Sequence, residues 1–217
     1  MLLFFDTETT GKADFQAAPD AAHQPRLVQF AALLTDANGK ELASANLVIK
    51  PNGFTIPREA SEIHGITTEH ALAVGVDCAV ARHLYRAWWN AAATIIAHNI
   101  EFDLLIMDGE LFRHAGGRKA WGAARETFCT MRAMTPVCKL PGTYGRYKWP
   151  RLQEAHKHCF GVEFDGAHDA LADVRACARV YWWLNRAAGA NGEEGGNMRE
   201  GTANGEGKDV CTRGGGA

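Results

Sequence analysis

Acidic side chains are uncommon at the ends of buried apolar elements unless something compensates them. This sequence places four there. Asp6 and Glu8 close the apolar run LLFFD as an Asp-x-Glu pair. Residues two apart on a strand point to the same side, so both carboxylates face one spot. Asp103 follows the apolar run TIIAHN, in the first turn of an expected helix. Asp173 lies in the first turns of the last expected helix, and Cys177, Val180 and Leu184 at helical spacing put it on the apolar face. Taken alone, Asp103 or Asp173 is an ordinary helix-start acid, favoured by the helix dipole. The Asp6–Glu8 pair is different, because two like charges on one face of a buried strand repel unless a cation lies between them. Donor sets of carboxylate oxygens suit Mg²⁺ or Mn²⁺. Two such ions, about 3.5–4 Å apart, can activate a water and stabilise the leaving oxygen in phosphodiester cleavage. Spacing alone leaves the convergence of the four acids open.

The elements that must position them follow from pattern. LLFFD at residues 2–6 suits a central strand buried on both faces. Residues 26–36 read as a second strand, and Asn38-Gly39 as a hairpin turn into a third, ELASANLVIK. The stretch KADFQAAPDAAHQP between the first two strands is a loop by composition. Pro57 opens a short helix that Gly65 closes. A helix over 76–92 is expected to align Val76, Val80, Leu84 and Trp88. TIIAHN is a fourth strand, leading into a helix over about 100–115. ETFCTM is the last strand, and helices follow over WPRLQEAHKHCFG and DALADVRACARVYWWLNRAA. Three strands in hairpin order, then alternating helix and strand, predict an α/β domain with a mixed sheet over residues 1–188. From Gly189 the chain is rich in Gly, Glu and Asn with almost no large apolar residues, which predicts a disordered tail over 189–217.

Three segments carry a family resemblance: Asp6-Thr7-Glu8-Thr9-Thr10-Gly11, His98-Asn99-Ile100-Glu101-Phe102-Asp103, and His168-Asp169-Ala170-Leu171-Ala172-Asp173. In order and spacing they resemble the three motifs of the DEDDh-type 3′–5′ exonucleases, which include bacterial proofreading subunits. Ile63-His64-Gly65-Ile66-Thr67 resembles a further family segment near the substrate. A histidine five residues before Asp173 matches the histidine subclass, whereas its sister subclass has a tyrosine four residues before. The resemblance implies a ribonuclease-H-like fold, a five-stranded mixed sheet flanked by helices. It also implies that Asp6, Glu8, Asp103 and Asp173 hold two Mg²⁺ or Mn²⁺ ions, and that His168 acts as general base. By the same resemblance Thr7, Thr9, Thr10, His64, Asn99 and Phe102 contact the terminal nucleotides.

The residues themselves agree in part. Asp169 is a natural N-cap, which leaves His168 just outside the helix. His98 reads equally as a structural histidine or a substrate contact. The segment KLPGTYGRYKWPR, residues 139–151, interleaves Lys139, Arg146, Lys148 and Arg151 with Tyr144, Tyr147 and Trp149. That composition suits either a platform for a single strand or a solvated loop.

The implied activity is removal of nucleoside 5′-monophosphates from single-stranded or frayed DNA 3′ ends. The rivals are an exoribonuclease and a non-catalytic nucleic-acid-binding module on the same fold. A polymerase or other replication partner is a further expectation. The chain has 217 residues, 47% of them hydrophobic, enough for one sizeable core. Its net charge of −2 announces no global affinity for nucleic acid, so attraction to phosphate must be local or supplied by metal. None of the six cysteines sits in a CxxC pair, and they read as buried, reduced thiols. The start MLLFFDTETTG has neither the basic region of a signal peptide nor the length of a membrane span. A cytoplasmic protein is expected.

Overall fold

The computed structural model describes residues 1–115 and 125–193. Its strands are β1 (Leu2–Thr9), β2 (Leu27–Thr35), β3 (Glu41–Val48), β4 (Thr94–Ala97) and β5 (Glu126–Cys129). They form one mixed sheet in the order β3-β2-β1-β4-β5. β2 runs antiparallel to β1 and to β3, and β4 runs parallel to β1 and to β5. Seven helices accompany it among the described residues: α1 (Arg58–His64), α2 (Thr68–Val74), α3 (Cys78–Ala91), α4 (Ile100–Ala115), α5 (Thr130–Cys138), α6 (Leu152–Phe160) and α7 (Ala170–Glu193). The expected five-stranded α/β architecture is therefore the one found.

β1 is central because it can be buried on both faces. Leu3 and Phe5 pack with Phe30, Tyr85, Ile106 and Met107 under α3 and α4. Phe4 packs on the other side with Leu33, Ile96 and the α7 residues Val174 and Cys177. The β2–β3 turn forms where expected. The Asp36 carboxylate accepts from the backbone N–H groups of Asn38 and Lys40 at 2.8 and 2.9 Å. Gly39 adopts φ 86°, and Trp182 of α7 lies so close that a Cβ there would sit 2.9 Å from its ring.

Several expectations need correction. α3 starts at Cys78 and buries Ala81, Tyr85 and Trp89 most deeply; of the expected face, Val76, Leu84 and Trp88 are partly buried against the same core and only Val80 is exposed. Tyr85 sets this phase by packing against Phe5 and Phe30, with ring centroids 5.1 and 5.8 Å away. α2 and α5 were not expected: α2 is only seven residues long, and α5 carries Pro136 inside its last turn. α7 runs to Glu193, past the expected end near residue 188, because each further residue adds a helical hydrogen bond at no new nucleation cost. Met1–Trp183 forms one compact unit, and the described residues beyond it, 184–193, belong to α7. The remainder of the tail expected to be disordered, from residue 194, lies outside the described residues. The five cysteines in the described residues are free, but Cys177 alone among them is buried and the other four are partly exposed. Cys211 lies outside the described residues.

The segment 12–25 contains no strand or helix, yet it is anchored. Gln24 is buried and donates to the carbonyl oxygens of Asp14 and Ala18. Gly109 of α4 lets the segment approach closely, since a Cβ there would meet the Pro19 carbonyl oxygen at 2.5 Å. Glu110, one residue on, has a side chain only 1% exposed. Its carboxylate accepts from Arg26 at 2.7 and 3.1 Å, from Arg113 at 3.1 Å and from the Leu27 N–H at 3.2 Å. Burial pushes the Glu110 carboxyl up, but the Arg26 and Arg113 charges outweigh it and hold it below its ordinary value.

This clamp fixes α4 to the start of β2 and generates a stability prediction. Removing one partner of a buried ion pair typically costs about 3–5 kcal/mol. Arg26→Ala leaves Arg113 in place, so a loss of about 3 kcal/mol is expected in urea unfolding. A loss below about 1 kcal/mol would show that Arg113 alone satisfies Glu110.

Candidate active site

The alternation that buries Phe4 toward α7 continues past the apolar run, so Asp6 and Glu8 emerge on the α7 side of β1. They lie opposite Ala31 and Gln29 of β2, and the register shifts between Glu8 and Thr9, where pairing ends. Thr7 faces the other way, toward α4. Its backbone N–H and its hydroxyl both donate to Asp103 Oδ1, at 3.0 and 2.8 Å. Asp103 is buried, 2% exposed, in the first turn of α4. That helix starts after Asn99, whose φ of 72° is one that asparagine tolerates better than most residues.

α7 delivers the fourth acid. Asp169 caps it as expected, its Oδ1 accepting from Leu171 N at 3.1 Å and Ala172 N at 3.0 Å. His168 stands outside the helix, exposed, with φ 70°. A left-handed backbone at a residue other than glycine costs energy and is often found at functional sites. The His168 N–H donates to Asp173 Oδ2 at 3.3 Å. Gln29, across the sheet from Glu8, accepts from the Ala170 N–H at 3.4 Å and so ties β2 to the start of α7. Glu8, His168 and Asp173 each present a donor atom within 4.8 Å of the others.

The electrostatics are those of uncompensated acids. Burial, then the charges of Asp103, Asp173, Glu8 and Asp169, raise Asp6 well above the ordinary carboxylate range. Burial, then Asp173, Asp103 and Asp169, lift Glu8 to about 8. Burial raises Asp103 to about 7 against the opposing hydrogen bonds from Thr7. Burial raises Asp173 to about 6, opposed by the His168 backbone bond and charge. One oxygen of Asp173, Oδ1, is buried with no hydrogen-bond partner.

The other residues singled out from sequence divide. His64, at the end of α1, accepts from the Ile66 N–H at 3.1 Å through Nδ1, and burial, then the charge of His168, lower its pKa against the Thr9 backbone bond. Asn99 and Phe102 are half-buried at the start of α4, and Phe102 packs on the α3–α4 core. Thr7, Thr9 and Thr10 have their hydroxyls engaged by Asp103, by the Gly11 carbonyl and by the Arg26 N–H. His98 is structural: Nδ1 meets the Thr130 hydroxyl at 2.9 Å and Nε2 the Pro150 carbonyl at 3.0 Å. Burial lowers it to about 4, so it is a neutral hinge between β4, α5 and the 139–151 segment. Sequence reasoning missed the positioning residues Gln29, Thr130, Arg26 and Glu110. Only Glu110, an acid at a helix position that must face inward, left a signal that could have found it.

Comparison with known proteins accords with this geometry. The family model RNase_T, described as exonuclease, matches residues 3–181. The chain is 30% identical over 193 residues to the uncharacterized exonuclease CP81 of Escherichia phage 186, covering 80% of this chain and 82% of that protein. Among solved structures it resembles E. coli exonuclease I. A zinc-bound complex with single-stranded DNA aligns with TM-score 0.68 and 23% identity over 89% of this chain. A complex with a dT13 oligonucleotide aligns with TM-score 0.68 and 22% identity, also over 89% of this chain. The chain spans 42% of each of those exonuclease I chains, and these likenesses speak to fold. No helix among the described residues is long and apolar enough to cross a membrane.

The raised carboxyls give a signed pH prediction. Glu8 holds its proton more tightly folded than unfolded, so its contribution to stability falls as pH rises from about 4.5 toward 8. Glu8→Gln removes that loss. In EDTA the variant and parent should melt together near pH 5, and the variant should melt a few degrees higher near pH 8.5. Added Mg²⁺ should raise the parent more than the variant. A melting difference in EDTA that does not change with pH would contradict the charge crowding.

Proposed function

This chain belongs to the RNase_T exonuclease family, and on that premise we propose that it hydrolyses the terminal phosphodiester at the 3′ end of single-stranded or frayed DNA. The products are nucleoside 5′-monophosphates. The observation that carries this reading is the crowding of four carboxylates and His168 at one end of β1. The single-stranded DNA complexes of exonuclease I, a protein of similar fold, support DNA as the substrate.

The donor set fits a hard divalent cation: oxygen ligands from separate elements, carboxyls whose repulsion a cation would relieve, and a buried Asp173 oxygen without a partner. We assign Asp6, Glu8, Asp103 and Asp173 as the residues that would hold two Mg²⁺ or Mn²⁺ ions, which when bound would neutralise phosphate charge and acidify the attacking water. The protein's own groups do the rest. Thr7 holds Asp103 with one oxygen committed to Thr7 and the other available to a cation. His168, outside the helix and beside Glu8 and Asp173, accepts the proton of the attacking water. His64, whose charge couples to that of His168, is assigned with Asn99 and Phe102 to the pocket for the terminal nucleotide. Because their hydroxyls already serve the protein, Thr7, Thr9 and Thr10 are assigned to shaping the floor of that pocket rather than to hydroxyl contacts with the sugar.

The experiment is degradation of matched 5′-labelled DNA and RNA oligonucleotides with Mg²⁺, with Mn²⁺ and in EDTA. Products shortened from the 3′ end, with DNA degraded faster and no activity in EDTA, are expected. His168→Ala should lose on the order of 10²–10⁴-fold in turnover, the usual contribution of general acid–base catalysis. Release of the 5′ label as a mononucleotide would overturn the polarity. Unchanged turnover in His168→Ala would remove the histidine from the mechanism.

A further inference from the structure

Residues 139–151 are not absorbed by the proposed chemistry, and they form a defined hairpin. Pro141 pairs antiparallel with Tyr147. The Lys148 N–H donates to the Leu140 carbonyl and the Gly142 N–H to the Arg146 carbonyl, both at 3.0 Å. The Arg146 N–H closes a turn on the Thr143 carbonyl at 3.1 Å, with Tyr144 at φ 53° and Gly145 at φ 73°. Two successive positive φ values make the tight turn that suits strand twist, and Asn-Gly is its favoured sequence. Here a tyrosine takes the asparagine's place, and its side chain is fully exposed. Tyr147 and Trp149, two apart on the returning arm, are 50% and 62% exposed. Three aromatic rings thus project from one short hairpin instead of joining a core.

The base of the hairpin is fastened to α6 and to the residue that leads into α4. Lys148 pairs with Glu154 at 2.6 Å, and the Arg151 N–H donates to the same carboxylate at 2.8 Å. Pro150, next to Trp149, accepts from His98, and His98 immediately precedes Asn99 and the helix that bears Asp103. The segment carries Lys139, Arg146, Lys148 and Arg151 and no acid, in a chain of net charge −2. It is a local source of the cations that phosphates need. Aromatic faces that accept any base, interleaved with cations, match a flexible single strand better than a folded protein surface.

We propose that this hairpin is a stacking platform for single-stranded nucleic acid, engaging nucleotides on the 5′ side of the one being removed. The proposal deepens the nuclease reading and rests on it for the direction of the strand. Tyr144, Tyr147 and Trp149 supply the rings, and Arg146 and Lys139 supply phosphate contacts. The platform holds the strand between cleavage events, so its effect grows with substrate length.

The test uses the full chain and two substrates. One is the p-nitrophenyl ester of thymidine 5′-monophosphate, which reaches only the terminal pocket, and the other is a 12-nucleotide single strand. Anisotropy in EDTA measures binding of the labelled 12-mer without cleavage. Tyr144→Ala, Tyr147→Ala and Trp149→Ala should each weaken 12-mer binding roughly 5- to 100-fold, as expected for loss of one base–aromatic stack. Ester hydrolysis should stay at the parental rate, and Trp149→Phe should recover most of the binding. Parental binding of the 12-mer by all three alanine variants would overturn the platform. Equal losses on ester and 12-mer would also overturn it, showing that the hairpin merely supports the site. If the parent cleaves neither substrate, the nuclease reading fails, while the anisotropy series still decides whether the hairpin binds a single strand.

Discussion

Repulsion among four carboxylates brought to one end of the central strand is the constraint on which the rest of this molecule depends. Nothing in the sheet needs Asp6, Glu8, Asp103 and Asp173 to meet, and their mutual charge works against folding. The fold overcomes that with specific attachments. Thr7 spends both its N–H and its hydroxyl on Asp103. The His168 backbone donates to Asp173, and Asp169 caps the helix that carries it. Gln29 joins β2 to the same helix start. Each attachment uses a neutral donor, which fixes position without cancelling the negative charge, so the demand for a cation survives folding.

The energy for this comes from elsewhere. β1 contributes Leu3, Phe4 and Phe5 to two separate apolar layers, and that double burial holds the strand whose far end carries the acids. Glu110 is the instructive contrast. It is as buried as any site acid, yet two arginines and a backbone N–H satisfy it, and its carboxyl sits below the ordinary range while theirs are raised. The same chemical group is structural where its partners are supplied by the chain and reactive in outlook where they are withheld.

Backbone strain is distributed in a way that fits this division. Among the described residues, four other than glycine adopt positive φ: Asn99, Lys139, Tyr144 and His168. Asn99 and His168 flank the acid cluster, Lys139 ends α5, and Tyr144 forms the tip of the aromatic hairpin. His98 links these regions through hydrogen bonds to Thr130 and Pro150, and its burial as a neutral ring removes it from proton chemistry.

The sequence by itself determined the elements and the acids, because both are local. Continuous apolar runs and a turn signal placed the five strands, helical spacing placed most of the helices, and Asp-x-Glu on a strand or a capped aspartate on a helix fixes a direction within a few residues. It also identified Asp169 as a cap, with His168 left free beside it. Only the tertiary structure decided what depends on distant segments. Which residues of α3 are buried most deeply, Ala81, Tyr85 and Trp89, follows from Tyr85 meeting Phe5 and Phe30. The duty of Thr7 is set by an aspartate 96 residues away, and His98 became structural when Pro150 supplied its second partner. Convergence of the four acids is likewise a property of strand order, since β1 must lie beside β4 for the α4 acid to reach it. Periodicity along a chain specifies which way a side chain points, but a partner far along the chain is specified only by the packing that brings the two together.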